Sequence, residues 1–283
     1  MIVMYPSINK QQPPWACSSL LRPLLYVVLG SLALLAAGCP APDAHAKRFG
    51  EILYQYPNTQ EPLRIKKLTA ASATDVPPAQ KGRAVTIMVH PAYSLFFREE
   101  HRSTYTEAKY DLLKFQLDNE ARFISEIAKT DNLLVLVLPG DFQQESIAPL
   151  SYTYYLNAAA GDGASVYYLT SETWSSGALS MDSMVTLYGF LQKTGATRVL
   201  IGGGYIGRCQ REFSSQVSAY VDKASVYIVP EISSISPDDI SDRESAEILA
   251  SLRKGDYTPV RIFIENKNEG AASLMPLPAV PGI

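Results

Sequence analysis

Cysteine is scarce in this chain: three residues, Cys17, Cys39 and Cys209, of which two fall within the first forty positions. A lone cysteine in the body excludes an intramolecular disulfide framework there, and equally a cysteine-rich zinc site. Histidine is no commoner. His45, His90 and His101 have no metal-ligand spacing, so no metal site is expected. A surplus of positive charge is also missing: 25 Lys and Arg stand against 28 Asp and Glu, a net of −3. That balance offers no electrostatic footprint for nucleic acid. Tryptophan occurs twice, whereas tyrosine occurs 17 times. Tyrosine joins a flat apolar face to a hydroxyl and suits sugar or peptide recognition, although packing is its commoner use.

The N-terminus supplies an address. Arg22 precedes an apolar or small run from Leu24 to Ala37, which ends in Ala36-Ala37-Gly38-Cys39. The run falls short of the roughly 20 residues of a membrane span and fits the h-region of a secretory signal. Its ending resembles the lipobox of bacterial lipoproteins, with Ala36 where that family prefers leucine. The resemblance implies removal of residues 1–38 and lipidation of Cys39, which becomes the membrane anchor. In that family an aspartate after the cysteine favours inner-membrane retention. Pro40 stands there, so the implied location is the outer membrane, facing the periplasm. Residues 39–83 are rich in proline, alanine and scattered charge and read as a tether. Residues 268–283, with Pro276, Pro278 and Pro281, read as a tail.

Between them, residues 84–267 read as one domain. Short apolar runs occur at Ala84–Val89, Leu133–Leu138, Ser165–Leu169, Arg198–Ile201, Ser225–Val229 and Val260–Ile264. They are continuous and rich in β-branched or aromatic residues, as strands buried on both faces should be. Helical patterns separate them. Leu113, Leu117, Ala121, Ile124 and Ala128 share a face within Thr106–Lys129. Met184, Leu187, Tyr188 and Leu191 share another, between Ser180 as N-cap and Gly195 as stop. A third helix is expected from Asp242 to Lys254, closed by Gly255. This alternation predicts a three-layer α/β/α fold with a mostly parallel sheet of about six strands.

Ligands of open parallel sheets sit beyond the carboxyl ends of the strands. That edge collects His90, Asp141, Ser171 with Glu172, the turn IGGGYIGRCQ (201–210), and Glu231. Gly202, Gly204 and Gly207 satisfy G-x-G-x-x-G, and the wording resembles the nucleotide-binding turn of flavin- and pyridine-nucleotide-linked oxidoreductases. The surrounding chain argues against a dinucleotide: Glu231 lies beyond the usual ribose position, and too little sequence follows it for a half-domain. No cofactor is therefore expected. The same backbone, from Gly202, Gly203, Gly204, Tyr205 and Gly207, together with Arg208, suits a small polar or anionic ligand.

Cys209 opens the next helix beside Arg208, a setting that lowers a thiol pKa. The order of elements resembles the isochorismatase-like cysteine hydrolases, in which a late helix opens with the nucleophilic cysteine. His90 stands here at that family's first-strand aspartate and Glu172 near its lysine, so the catalytic set is not retained. A Cys209–His90 pair oriented by Asp141 or Glu172 is one candidate arrangement. A buried, inert Cys209 is the other. Two expectations follow: an envelope lipoprotein that binds a small polar or anionic ligand or a protein partner, or a cysteine-dependent hydrolase or its inactive relative.

Overall fold

A computed structural model of the chain describes residues 61–76, 83–96, 105–130, 132–143, 151–222, 225–267 and 273–275. The expected signal peptide and Cys39 lie outside them. The strands are β1 Lys66–Lys67, β2 Ala84–Val89, β3 Leu133–Leu138, β4 Val166–Thr170, β5 Arg198–Gly202, β6 Val226–Ile228 and β7 Ser273–Leu274. The helices are α1 Glu107–Ala128, α2 Ser151–Ala160, α3 Met181–Thr194, α4 Cys209–Tyr220, α5 Asp242–Leu252 and α6 Thr258–Lys267. The strands form one sheet in the order β1-β4-β3-β2-β5-β6-β7, and every pairing is parallel.

The period of two along each strand divides the core. Leu134, Leu136 and Leu138 of β3 face α1 and α2, packing with Leu117, Ile124, Tyr152 and Tyr155. Leu133, Val135 and Val137 face the opposite way, towards Met184, Leu187 and Phe190 of α3 and Phe213 of α4. Burial on both faces explains why these strands read as unbroken apolar runs. Each such side chain contributes about 1.5–3 kcal/mol when fully buried. From β2 the chain winds outward through α1, β3, α2 and β4. It then returns through α3 to β5 on the other side of β2. Crossovers of one hand put helices on opposite faces when the winding direction reverses. The division of α1 and α2 from α3 and α4 follows. α5 and α6 enclose a third cluster with Leu112, Ile228 and Ile235.

Several local expectations hold at the atomic level. Ser180 Oγ accepts a hydrogen bond from the Ser183 N–H at the start of α3, and Gly195 ends that helix in the left-handed region at φ 64°. The expected third helix is α5, and its start carries a capping box of Ser241 and Glu244 that the sequence reading did not name. Three findings differ from the sequence reading. Val260–Ile264 is not a strand but part of α6, because only Val260 and Ile264, four residues apart, are buried while Ile262 is exposed. Helix α2, unforeseen, gathers the tyrosines after β3. The hydroxyls of Tyr152 and Tyr155 donate to the carbonyls of Pro91 and Leu117 at 2.9 and 3.0 Å, so both serve the core. Finally, the sheet takes strands from both flanks of residues 84–267. β1 comes from the stretch read as tether, along with buried Leu68, Ala73 and Val76, and β7 comes from the stretch read as tail.

Candidate functional site

The winding direction reverses between β2 and β5, and the carboxyl ends of these two strands bound the crevice in which open α/β sheets take ligands. Both ends turn sharply. After β2, His90 and Ala92 adopt φ of 45° and 56°, and after β5, Gly203 and Gly204 adopt 69° and 58°. For non-glycine residues this region is costly, so the β2 turn is held by its bonds: the His90 N–H donates to Val137 at 2.7 Å, and the Tyr93 N–H to His90.

Glycine at 203 and 204 has a packing cause. A Cβ on Gly203 would lie 2.6 Å from the Val89 carbonyl oxygen, and one on Gly204 would lie 2.8 Å from it and 2.9 Å from Cys209 Sγ. Gly202 is packed as closely on Ile232, and Gly207 on Lys267. The expected cradle of free N–H groups is largely spent inside the protein. Gly203 donates to the Ile232 carbonyl, Ile206 to Ser234 at 3.0 Å, and Arg208 to Tyr205 at 3.1 Å. The Tyr205 N–H points at Cys209 Sγ, 3.3 Å away. The Arg208 guanidinium is committed too, with two bonds of 2.8 and 3.2 Å to Asp239. The β5 turn therefore presents little to an anion.

His90 is fully buried. The Ser171 hydroxyl donates to the Thr173 carbonyl at 2.6 Å, so it receives the His90 Nε2–H at 3.0 Å. His90 Nδ1 is then a bare acceptor, with no partner among the described residues. Burial holds the imidazole neutral, with its pKa lowered to about 3. The ring stacks on Tyr93 at 5.2 Å between centroids, and Tyr93 meets the Tyr205 ring edge-on at 5.4 Å. Asp141 and Glu172 are exposed and neither receives the His90 bond, so the expected orienting carboxylate is replaced by Ser171.

Cys209 is buried in the α3–α4 face of the core. Burial raises its thiol to about 11, outweighing the hydrogen bonds from the N–H groups of Tyr205 and Gln210 that pull it down. No hydrogen bond joins Cys209 to His90 among the described residues. The helix start that would activate a thiol holds this one in an apolar setting instead.

The centre of the crevice is Glu120, on α1. Its side chain is 4% exposed, one oxygen accepting from the Ala92 N–H and the other from the Ser234 hydroxyl. Burial raises its carboxyl to about 7, against the opposing effect of those two bonds. Beside it on α1, Gln116 brackets Ile235, receiving its N–H at 2.7 Å and donating to its carbonyl at 3.1 Å. Tyr93, Gln116, Glu120, Tyr205 and Ser234 line a cavity of about 10 Å³, room for one water. Of these, Gln116, Glu120 and Ser234 are absent from the candidates drawn from strand ends. Their signal lies in α1 itself: positions 116 and 120 fall on the stripe that carries Leu113, Leu117 and Ile124, where a carboxylate and an amide need a reason.

No family model matches this chain, and no curated protein does. Two solved structures are similar to it. One is the YcaC gene product from Escherichia coli, described as an octameric hydrolase of unknown specificity. It shares 13% identity at a TM-score of 0.39, over 77% of this chain and 80% of that one. The other is the pyrazinamidase of Pyrococcus horikoshii in complex with zinc. Its identity is 14% and its TM-score 0.35, over 69% of this chain and 99% of that one.

Proposed function

We propose that this chain is an envelope lipoprotein, anchored through Cys39, whose α/β domain binds a small polar ligand in the crevice between the ends of β2 and β5. The observation that carries the binding site is Glu120: a buried carboxyl lining a cavity at the switch point, flanked by two tyrosines. With Arg208 occupied by Asp239 and the turn's N–H groups spent, the crevice favours a ligand that donates hydrogen bonds over an anion. The cysteine-hydrolase alternative draws no support from a buried thiol with a raised pKa that, among the described residues, makes no hydrogen bond to His90.

The test is to purify the protein from its native envelope and identify what co-elutes by non-denaturing mass spectrometry. A small polar molecule present in the wild type and lost in Ser94→Trp, a bulky side chain at a half-buried residue that also lines the cavity, supports the binding function. An empty protein that takes up nothing from an envelope extract would sink it. The anchor is read separately: Cys39→Ser should abolish both lipid mass and membrane fractionation.

A further inference from the structure

The geometry points to an ammonium-class cation as the group that the Glu120 crevice holds: the ammonium ion itself, or the –NH3+ head of a primary amine. The inference rests on the binding function above and adds the chemistry of the ligand. Four observations converge on it. The cavity has room for about one water, and an ammonium group is of that size, whereas a quaternary ammonium, a guanidinium or a phosphate is larger. Each carboxylate oxygen of Glu120 accepts one hydrogen bond, from Ala92 or from Ser234, and retains a second lone pair for another donor. Among the described residues no lysine or arginine lines the cavity, so none of them sets a cation beside an ionised Glu120. Tyr93 and Tyr205 both line the same cavity, and aromatic rings attract cations over their faces.

Binding has a proton balance. A protonated Glu120 receiving R–NH3+ becomes a carboxylate–ammonium pair, and its proton leaves to solvent. The other titratable groups around it stay out of this exchange. Tyr93, Tyr152 and Tyr205 are all raised by burial and remain neutral, and His90 is held neutral by burial. Among the described groups that line or border the cavity, Glu120 is the one whose charge changes near neutrality.

The experiment is titration calorimetry on the full lipidated chain in detergent, at pH 7 and constant ionic strength. It compares ammonium, methylammonium, potassium and tetramethylammonium chlorides, in two buffers of different ionisation heat. Saturable binding of ammonium or methylammonium with proton release is expected, weakened about tenfold or more in Glu120→Gln. Preference for ammonium identifies the free ion as the source, and equal or tighter methylammonium identifies an amine head. Should Glu120→Gln fail to fold, wild-type affinity must still fall towards tenfold per unit as pH drops below about 7. Potassium or tetramethylammonium binding as tightly overturns the inference. So does a lack of saturable binding, an unchanged Glu120→Gln, or a pH-independent affinity. A neutral or anionic envelope ligand lost in Ser94→Trp, with ammonium inert, overturns the cation while leaving the binding function standing.

Discussion

Two buried titratable side chains border the same crevice and push stability in opposite directions. His90 is lowered from 6.5 to about 3, so its stabilisation is complete above 6.5 and is lost as pH falls towards 3. Glu120 is raised from 4.5 to about 7, so its stabilisation is complete below 4.5 and is lost as pH rises towards 7. Each slope is about 1.4 kcal/mol per pH unit, and between 4.5 and 6.5 they cancel. Single variants should unmask them in denaturant titrations across pH. In Glu120→Gln the acid-side loss should extend over the whole window up to 6.5. In His90→Asn, a residue that tolerates the positive φ, stability should decline from pH 4.5 to 7. Cys209 gives a second residue-scale prediction. At pH 7 a thiol reagent should leave its peptide unmodified in the folded protein and label it fully after denaturation, as read by mass spectrometry; fast native labelling would restore the nucleophile. How legible these residues were differs for a physical reason. His90 and the glycine turn stand at strand ends, where the fold class alone directs attention. Glu120 sits mid-helix on an apolar stripe, and only its partners Ala92 and Ser234, 28 and 114 residues away, give it meaning.

At the scale of elements, short-range rules were sufficient where burial agreed with them. Strands β2 and β3 lie at their expected bounds, and α3 begins at its serine cap and ends at its glycine. Val260–Ile264 misled because β-branched and aromatic residues suggest a strand, whereas burial four residues apart selects a helix, with Pro259 accommodated in the first turn. Two glycines test how tightly elements meet. A Cβ on Gly177 would lie 1.9 Å from the Cys209 carbonyl oxygen, a backbone atom that cannot swing aside. Gly177→Ala should cost about 2–4 kcal/mol in chemical denaturation by forcing the β4–α3 loop off the start of α4. Gly189 lies inside α3 with nothing within 4 Å of the added carbon. Gly189→Ala should stabilise by about 0.5–1 kcal/mol through helix propensity.

For the whole molecule, a sheet with β2 at its centre, flanked by β3 on one side and β5 on the other, puts the crevice where early and late parts of the chain meet. Among the described residues the two outermost strands are also the shortest, two residues each, and short edges resist pairing with other molecules. β7 covers β6, with Met275 donating to the Ile228 carbonyl at 3.1 Å. Deleting residues 268–283 should therefore uncover β6 and raise light scattering on storage relative to the full chain. The same edge arrangement sets the timing of folding. One border of the sheet is made by residues 66–67 and the other by residues 273–274, and β2 waits for β5 to be synthesised before its second neighbour exists. Pairings so distant in sequence form slowly. A polypeptide wired in this way completes its central pairing of β2 with β5 only after residue 198 has been made, and its β6 border only after residue 273.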